Sequence, residues 1–277
     1  MLRKGMLESL LDLCRLAGAE ILAHYHDENR GALLREKADS SPLTEADVAS
    51  HRIIVEGLAR ISPGIPVLSE ESSSEDIAAR FEWDQLWMVD PLDGTREFLD
   101  RSGQFTINIA LIEQQRAVEG IIYHPLSGVA WAGVVGDAAW RFEYVEGRWR
   151  QQTLRTRALG GESMVLFASR RHRNDKLAQC LAFLEQRAKL ERRNSGSALK
   201  FCDLACGDGD FYPRFSPCSE WDVAAGDAIV TAAGGCVLGM DGAPLRYNAR
   251  ESLLSPHFLA VGDRDAQLWP ELLRHIN

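Results

Sequence analysis

A chain of 277 residues that is 45% hydrophobic and 26% charged is long enough to bury a sizeable core, as one large domain or two intimately packed ones, and has no low-complexity tract or repeat. Its 40 acidic against 31 basic residues leave a formal charge of −9, which opposes docking on a polyanion such as duplex DNA. A small anionic ligand would need local cations, side chains or metals, to overcome that field.

The first 26 residues begin with positive charge, but Glu8, Asp12, Arg15 and Glu20 interrupt any secretory apolar core. Leu7, Leu10, Leu11, Cys14, Ile21 and Leu22 instead follow helical spacing. A polar turn over 37–42 leads to a second helical pattern from Thr44 to about Ile61, where Pro63, Gly64 and Pro66 break it. A short apolar stretch at 65–68 runs out into Glu70 and Glu71, and the compact run 86–89 reads as a buried strand ending abruptly at Asp90. Residues 105–112, 120–123 and 129–135 are β-rich and predict an antiparallel sheet. After a polar stretch at 146–162, residues 164–168 read as a strand, 175–186 as a helix, and 266–276 as the final helix. A soft domain boundary is expected near residue 155: 1–155 would carry most of the acidic candidates and 156–277 would carry Asp222.

The longest uncharged run, 120–136, is short and contains His124, Pro125 and several glycines, so no transmembrane helix is expected. Six cysteines lack a C-x-x-C pair and sit mostly in apolar surroundings, which predicts buried free thiols and a soluble protein of the cytoplasm. Peripheral attachment to the inner membrane stays open, as does the oligomeric state.

The most informative segment is 87–98. A buried strand delivers Asp90 and Asp93 to its end, Pro91 stiffens the turn between them, and Gly94 allows close backbone approach to a ligand. A helix beginning at Thr95 would face its first N–H groups toward an anion, with the two carboxylates holding cations beside it. Hard divalent cations such as Mg²⁺ prefer carboxylate oxygen and often bridge protein to phosphate. The plain alternative is a turn that only caps the next helix. Glu70 and Glu71 would add a ligand or simply be solvated. Thr44-x-x-Asp47 and Ser219-x-x-Asp222 both read as capping boxes with Asp in place of Glu or Gln, a role compatible with metal ligation at Asp222.

Two of these segments, VDPLDGT at 89–95 and WDVAAGDAI at 221–229, resemble the signatures of the inositol monophosphatase superfamily, D-P-[IL]-D-G-T and W-D-x-A-[AG]. Within it the chain is similar to bacterial 3′(2′),5′-bisphosphate nucleotidases of the CysQ type. That likeness runs through KADSSPLTEAD at 37–47, LSEE at 68–71, GTREF at 94–98, FTINIALI at 105–112, SGSALKFC at 195–202 and FYPRF at 211–215, essentially the whole chain.

The resemblance implies a layered α/β/α/β/α sugar-phosphatase fold and Mg²⁺-dependent hydrolysis of adenosine 3′,5′-bisphosphate, with a place in sulfur assimilation or nucleotide recycling. It implies Glu70, Asp90, Asp93, Asp222 and the carbonyl of Leu92 as ligands of two or three Mg²⁺ ions, with Asp47 and Thr95 positioning the attacking water. Gly94 would border the substrate, and His172, Ser197, Lys200 and Arg214 would hold the nucleotide. The competing reading of Lys200 and Arg214 is as solvated surface charges. An inositol or sugar phosphate is the alternative substrate, and a non-catalytic phosphonucleotide sensor the alternative of another class.

A haloacid-dehalogenase phosphatase, which forms an aspartyl-phosphate, fits less well. Its D-x-D-G-T motif is one residue shorter and usually stands near the chain start. No G-x-x-x-x-G-K-[ST] phosphate loop, H-E-x-x-H zinc helix or G-x-S-x-G nucleophile elbow is present.

Overall fold

The computed structural model describes residues 4–27, 33–36, 42–168 and 174–277. Helix α1 (Lys4–His26) precedes a small antiparallel pair, β1 (Leu33–Glu36) and β2 (Pro42–Thr44), and then α2 (Glu45–Ile61). The helical stripe read in the sequence is what α1 buries: Leu10, Leu11, Cys14 and Ile21 are fully shielded in one core with Ile54 and Leu58 of α2.

Strand β3 (Val67–Ser69), helix α3 (Ser74–Ala79), strand β4 (Gln85–Asp93) and helix α4 (Thr95–Leu99) follow. Next come β5 (Thr106–Glu113), β6 (Arg116–His124), β7 (Val129–Val134), β8 (Ala139–Val145) and β9 (Arg148–Leu154). β3 lies parallel to β4 and the rest form an antiparallel meander, giving a seven-stranded sheet in simple sequence order. The expected strands at 105–112, 120–123 and 129–135 are all here. The stretch at 146–162, expected only to be polar, contains β9; it is an edge strand in which Leu154 alone is buried, so it carries almost no apolar signal.

The remaining elements are β10 (Ser163–Ala168), α5 (Asp175–Glu185), β11 (Lys189–Asn194), α6 (Leu199–Ala205), β12 (Phe211–Arg214), a 3₁₀ turn (Glu220–Asp222), α7 (Ala224–Ala232), β13 (Cys236–Gly239), β14 (Phe258–Val261) and α8 (Leu268–Ile276). They build a second, five-stranded sheet ordered β11-β10-β12-β14-β13.

Three buried clusters define the layers. One joins α1 and α2 to one face of the large sheet, a second fills the space between the sheets around α6 and α7, and a third lies under α5 and α8 on the far face of the small sheet. The order α/β/α/β/α is the one expected. Alternate residues of β4 serve different cores: Trp87 and Val89 face α1 and α2, while Leu86 and Met88 face α6 and α7. A strand buried on both sides reads as a continuous apolar run, which is why 86–89 was conspicuous.

Helix α7 lies close on the large sheet because two glycines there admit it. A Cβ at Gly120 would fall on the carbonyl oxygen of Ala225, and one at Gly133 would stand 2.6 Å from the Cα of Ile229. All six cysteines are free, but only Cys14, Cys180 and Cys202 are buried; Cys206, Cys218 and Cys236 are half-buried, against the expectation that all would be. Among the described residues no helix is long and apolar enough to cross a membrane.

Candidate active site

Strand β4 carries Asp90 to the middle of the molecule, on the face turned toward α6 and α7, where it is 1% exposed. An ordinary strand would point Asp93 to the opposite face. The register with β5 shifts between Asp90 and Asp93, so that Asp90 pairs with Asn108 and Asp93 with Thr106. This bulge restores both carboxylates to one face. The chain then turns through Gly94, whose φ of +91° is left-handed and whose Cβ would meet the carbonyl oxygen of Gln104 at 2.9 Å, and enters α4 at Thr95.

The third carboxylate arrives from the other half of the chain. Ser219 and Asp222 form the capping box read from the sequence, with the N–H of Ser219 donating to Asp222 Oδ2 at 3.0 Å. A second support comes from Glu220, whose Oε2 accepts from the N–H of Asn248 at 2.7 Å; Asn248 in turn accepts from Arg80 Nη1 at 2.6 Å. Arg80 is 1% exposed and also donates to the carbonyls of Arg250 and Glu251, so the turn that presents Asp222 is braced by a buried arginine.

Asp90, Asp93 and Asp222 each place a carboxylate oxygen within 4.8 Å of the other two. Glu70 stands outside that trio, just beyond β3, its N–H donating to the carbonyl of Val89 at 3.0 Å, yet close enough for its charge to act on both Asp90 and Asp222. Burial first, and then repulsion from Glu70, Asp93 and Asp222, holds the Asp90 carboxyl well above the usual carboxylate range. Burial and repulsion from Asp93 and Glu70 push Asp222 up to about 8. An all-oxygen acidic cluster that resists ionisation by itself fits a hard divalent cation, which removes the repulsion and suits carboxylate donors.

Asp47 joins the same region from α2. Its Oδ2 accepts from the N–H of Thr44 at 2.8 Å as the reciprocal half of a capping box, while its Oδ1 accepts from Thr95 Oγ1 at 3.2 Å. Thr95 Oγ1 is also 3.3 Å from the carbonyl of Leu92, which brings that oxygen beside the pair.

Asp93, Asp222, Ser197, Lys200, Tyr212 and Arg214 line one open cavity. Lys200 is 3% exposed, which removes the reading of it as a solvated surface charge. Its Nζ donates to the carbonyls of Ser195 and Ser197 at 3.2 and 2.5 Å, and desolvation lowers its pKa to about 8 despite the attraction of Asp93. Arg214 donates to the carbonyls of Ser216 and Pro217 from the partly open side. His172 lies outside the described residues.

Several residues at the site were not singled out from the sequence. Tyr212 and Phe201 pack edge to face at 5.1 Å on the cavity wall. Thr106 and Asn108, on the strand next to β4, contact Ser197 and Asp93. The available signal was two polar residues at i and i+2 in the otherwise apolar run 105–112.

The chain matches the model of the inositol monophosphatase family over residues 3–272. It is 42% identical over 253 residues to the 3′(2′),5′-bisphosphate nucleotidase CysQ of Salmonella typhimurium strain LT2, which covers 91% of this chain and 98% of the relative. CysQ of Escherichia coli K12 is 40% identical over the same shares of the two chains. Among solved structures, CysQ from Bacteroides thetaiotaomicron superposes with a TM-score of 0.81 at 37% identity, over 94% of this chain and 98% of that one. The IMPase of Thermotoga maritima shares the fold, with a TM-score of 0.75 at 23% identity over 98% of this chain and 96% of that one.

Proposed function

The chain belongs to the inositol monophosphatase family, and from that premise we propose that it is a Mg²⁺-dependent phosphatase that converts adenosine 3′,5′-bisphosphate to AMP and phosphate. The observation that carries this reading is that two members of the acidic trio, Asp93 and Asp222, line one cavity with a buried lysine and an arginine. Curated relatives that are 42% and 40% identical are 3′(2′),5′-bisphosphate nucleotidases, which supports the substrate class.

Asp90, Asp93 and Asp222 would hold the cations, with Glu70 and the carbonyl of Leu92 completing the oxygen donors for two or three ions. When bound, such ions act as Lewis acids that ease ionisation of water and neutralise charge developing on the phosphoryl group. Thr95 commits its hydrogen toward Asp47 Oδ1 and the Leu92 carbonyl, so its oxygen is left to accept from a water. Asp47 thereby fixes the direction of that lone pair and orients the water for in-line attack. Gly94 gives the phosphate close access to the backbone at the start of α4. Lys200 and Arg214 supply the cationic wall that a second phosphate requires in a protein of charge −9. Ser197, whose hydroxyl lies 2.6 Å from Asp93 Oδ2, would meet the nucleotide by accepting a hydrogen bond or through its backbone.

The test is kcat/KM for purified protein on adenosine 3′,5′-bisphosphate, inositol 1-phosphate and fructose 1,6-bisphosphate at saturating Mg²⁺. The nucleotide is expected to be preferred, and Lys200→Met to erode that preference. A preference for inositol 1-phosphate would refute the substrate assignment, and absence of phosphate release from all three would refute the enzyme.

A further inference from the structure

Asp93 is held by more than its own strand. Asn108 Nδ2 donates to Asp93 Oδ2 at 3.2 Å, and the hydroxyl of Ser197 lies 2.6 Å from the same oxygen. A carboxylate oxygen has two lone-pair directions, so Oδ2 is saturated and Oδ1 is the oxygen with capacity for a cation. Asn108 is oriented in its turn: Thr106 Oγ1 donates to its Oδ1 at 2.8 Å, which forces the amide nitrogen toward Asp93. Thr106 Oγ1 also lies 2.6 Å from Ser197 Oγ, so its single hydrogen serves either Asn108 Oδ1 or Ser197 Oγ at one time, and in both cases supports a donor to Asp93.

Thr106 and Asn108 are 0% and 1% exposed, so bulk water has no access to replace either group. They lie on the face of β5 that looks toward α6 and α7, opposite Asp93 and Asp90 across the bulge. Ser197 enters from the segment before α6 with a φ of +49°, a left-handed conformation rare for a serine, and its carbonyl and that of Ser195 are clamped by Lys200. Backbone strain held by a buried lysine keeps the hydroxyl on Asp93.

We propose that Thr106 and Asn108 are positioning residues which, with Ser197, saturate one oxygen of Asp93, turn the other toward Asp90 and Asp222, and so set the affinity of the site for a divalent cation. The bracket rests on the reading of the acidic trio as a metal site. It also ties that site mechanically to the segment carrying Lys200 on the cavity wall.

Three variants test it. Thr106→Val keeps the shape and removes the hydroxyl, Thr106→Ser restores the hydroxyl, and Asn108→Ala removes the amide. Mg²⁺ is titrated calorimetrically into each protein after removal of metal, and phosphate release from adenosine 3′,5′-bisphosphate is followed separately against Mg²⁺ concentration. Outer partners of metal ligands cost about 10- to 100-fold in affinity or activity when lost. Thr106→Val and Asn108→Ala should therefore weaken Mg²⁺ binding about tenfold or more, while Thr106→Ser binds as the wild type does. Wild-type Mg²⁺ affinity in Thr106→Val, or equal losses in Thr106→Val and Thr106→Ser, overturns the bracket. Calorimetry needs no turnover, so a wild type that binds Mg²⁺ yet hydrolyses nothing would sink the proposed activity while the variant affinities still decide the bracket. A wild type that binds no Mg²⁺ overturns both.

Discussion

Replacing Asp222 by Asn removes a charge from the acidic trio while retaining an oxygen that accepts from the N–H of Ser219, the contact that caps the 3₁₀ turn. Two unit charges 4.8 Å apart repel by about 3.5 kcal/mol at an effective dielectric of about 20, and Asp222 faces two such partners. The metal-free protein escapes part of this by protonation. An Asp222 carboxyl raised from an ordinary 3.8 to about 8 binds a proton at pH 7 that the unfolded chain does not, at a cost of about 4 kcal/mol at 1.36 kcal/mol per unit.

Asp222→Asn abolishes that cost, so in EDTA at pH 7 the variant should melt higher than the wild type, by up to about 8 °C for a chain of this size. With Mg²⁺ the order should reverse. The wild type gains stability as RT ln(1 + [L]/Kd), the variant gains little, and turnover falls by the ~10²-fold or more typical of losing a charge-stabilising group. Differential scanning calorimetry in EDTA and in Mg²⁺, beside a phosphate-release assay, reads all three quantities. A variant that melts lower than the wild type in EDTA, or keeps the full Mg²⁺-induced rise, would refute the argument that Asp222 is an uncompensated member of a cation site.

Because Asp90 and Asp222 both resist ionisation without metal, Mg²⁺ must displace protons, so affinity should rise about tenfold or more per unit from pH 6 to 8; calorimetry in buffers of different ionisation enthalpy should detect proton release on binding, and a flat pH profile would contradict this. Asp227, buried against Tyr247 and Thr231, is raised by desolvation from 3.8 to about 6. A raised folded-state pKa stabilises fully below about pH 4 and loses that contribution as pH rises through about 6, so Asp227→Asn should gain up to about 3 kcal/mol at pH 8 and flatten the stability profile between pH 4 and 7 in urea titrations. Gly120→Ala puts a methyl group on the backbone of α7, which has no side chain to swing aside, and should cost about 1–3 kcal/mol in urea unfolding while lowering turnover by displacing the helix that follows Asp222. Unchanged stability would show that α7 does not seat on that glycine.

Much of the site was legible because its chemistry is local. Asp90 and Asp93 stand out since a buried apolar run ends in two carboxylates around a proline, and the boxes at Thr44–Asp47 and Ser219–Asp222 follow from spacing alone. The Asp47–Thr95 contact joins residues 48 apart: spacing alone offers only the capping explanation of Asp47, and the pair is named through the family resemblance. Lys200 illustrates a different limit: charge is visible in a sequence and burial is not, and only the packing of α6 beneath the cavity distinguishes a solvated lysine from one that is 3% exposed. Edge strands β9 and β11 escaped because exposed, polar strands lack the apolar period on which recognition depends. Thr106 and Asn108 were present in a run already read as a strand, but their polarity acquires meaning only once the register sets them opposite Asp93 and Asp90.

The central claim, that Asp90, Asp93 and Asp222 form a divalent-cation site, is tested most directly by anomalous diffraction from crystals of the protein grown with Mn²⁺ in place of Mg²⁺. Peaks within coordination distance of all three carboxylates, absent from crystals of Asp222→Asn, are the expected result. Crystals that bind Mn²⁺ elsewhere, or that leave the three carboxylates without a peak at saturating metal, would contradict it.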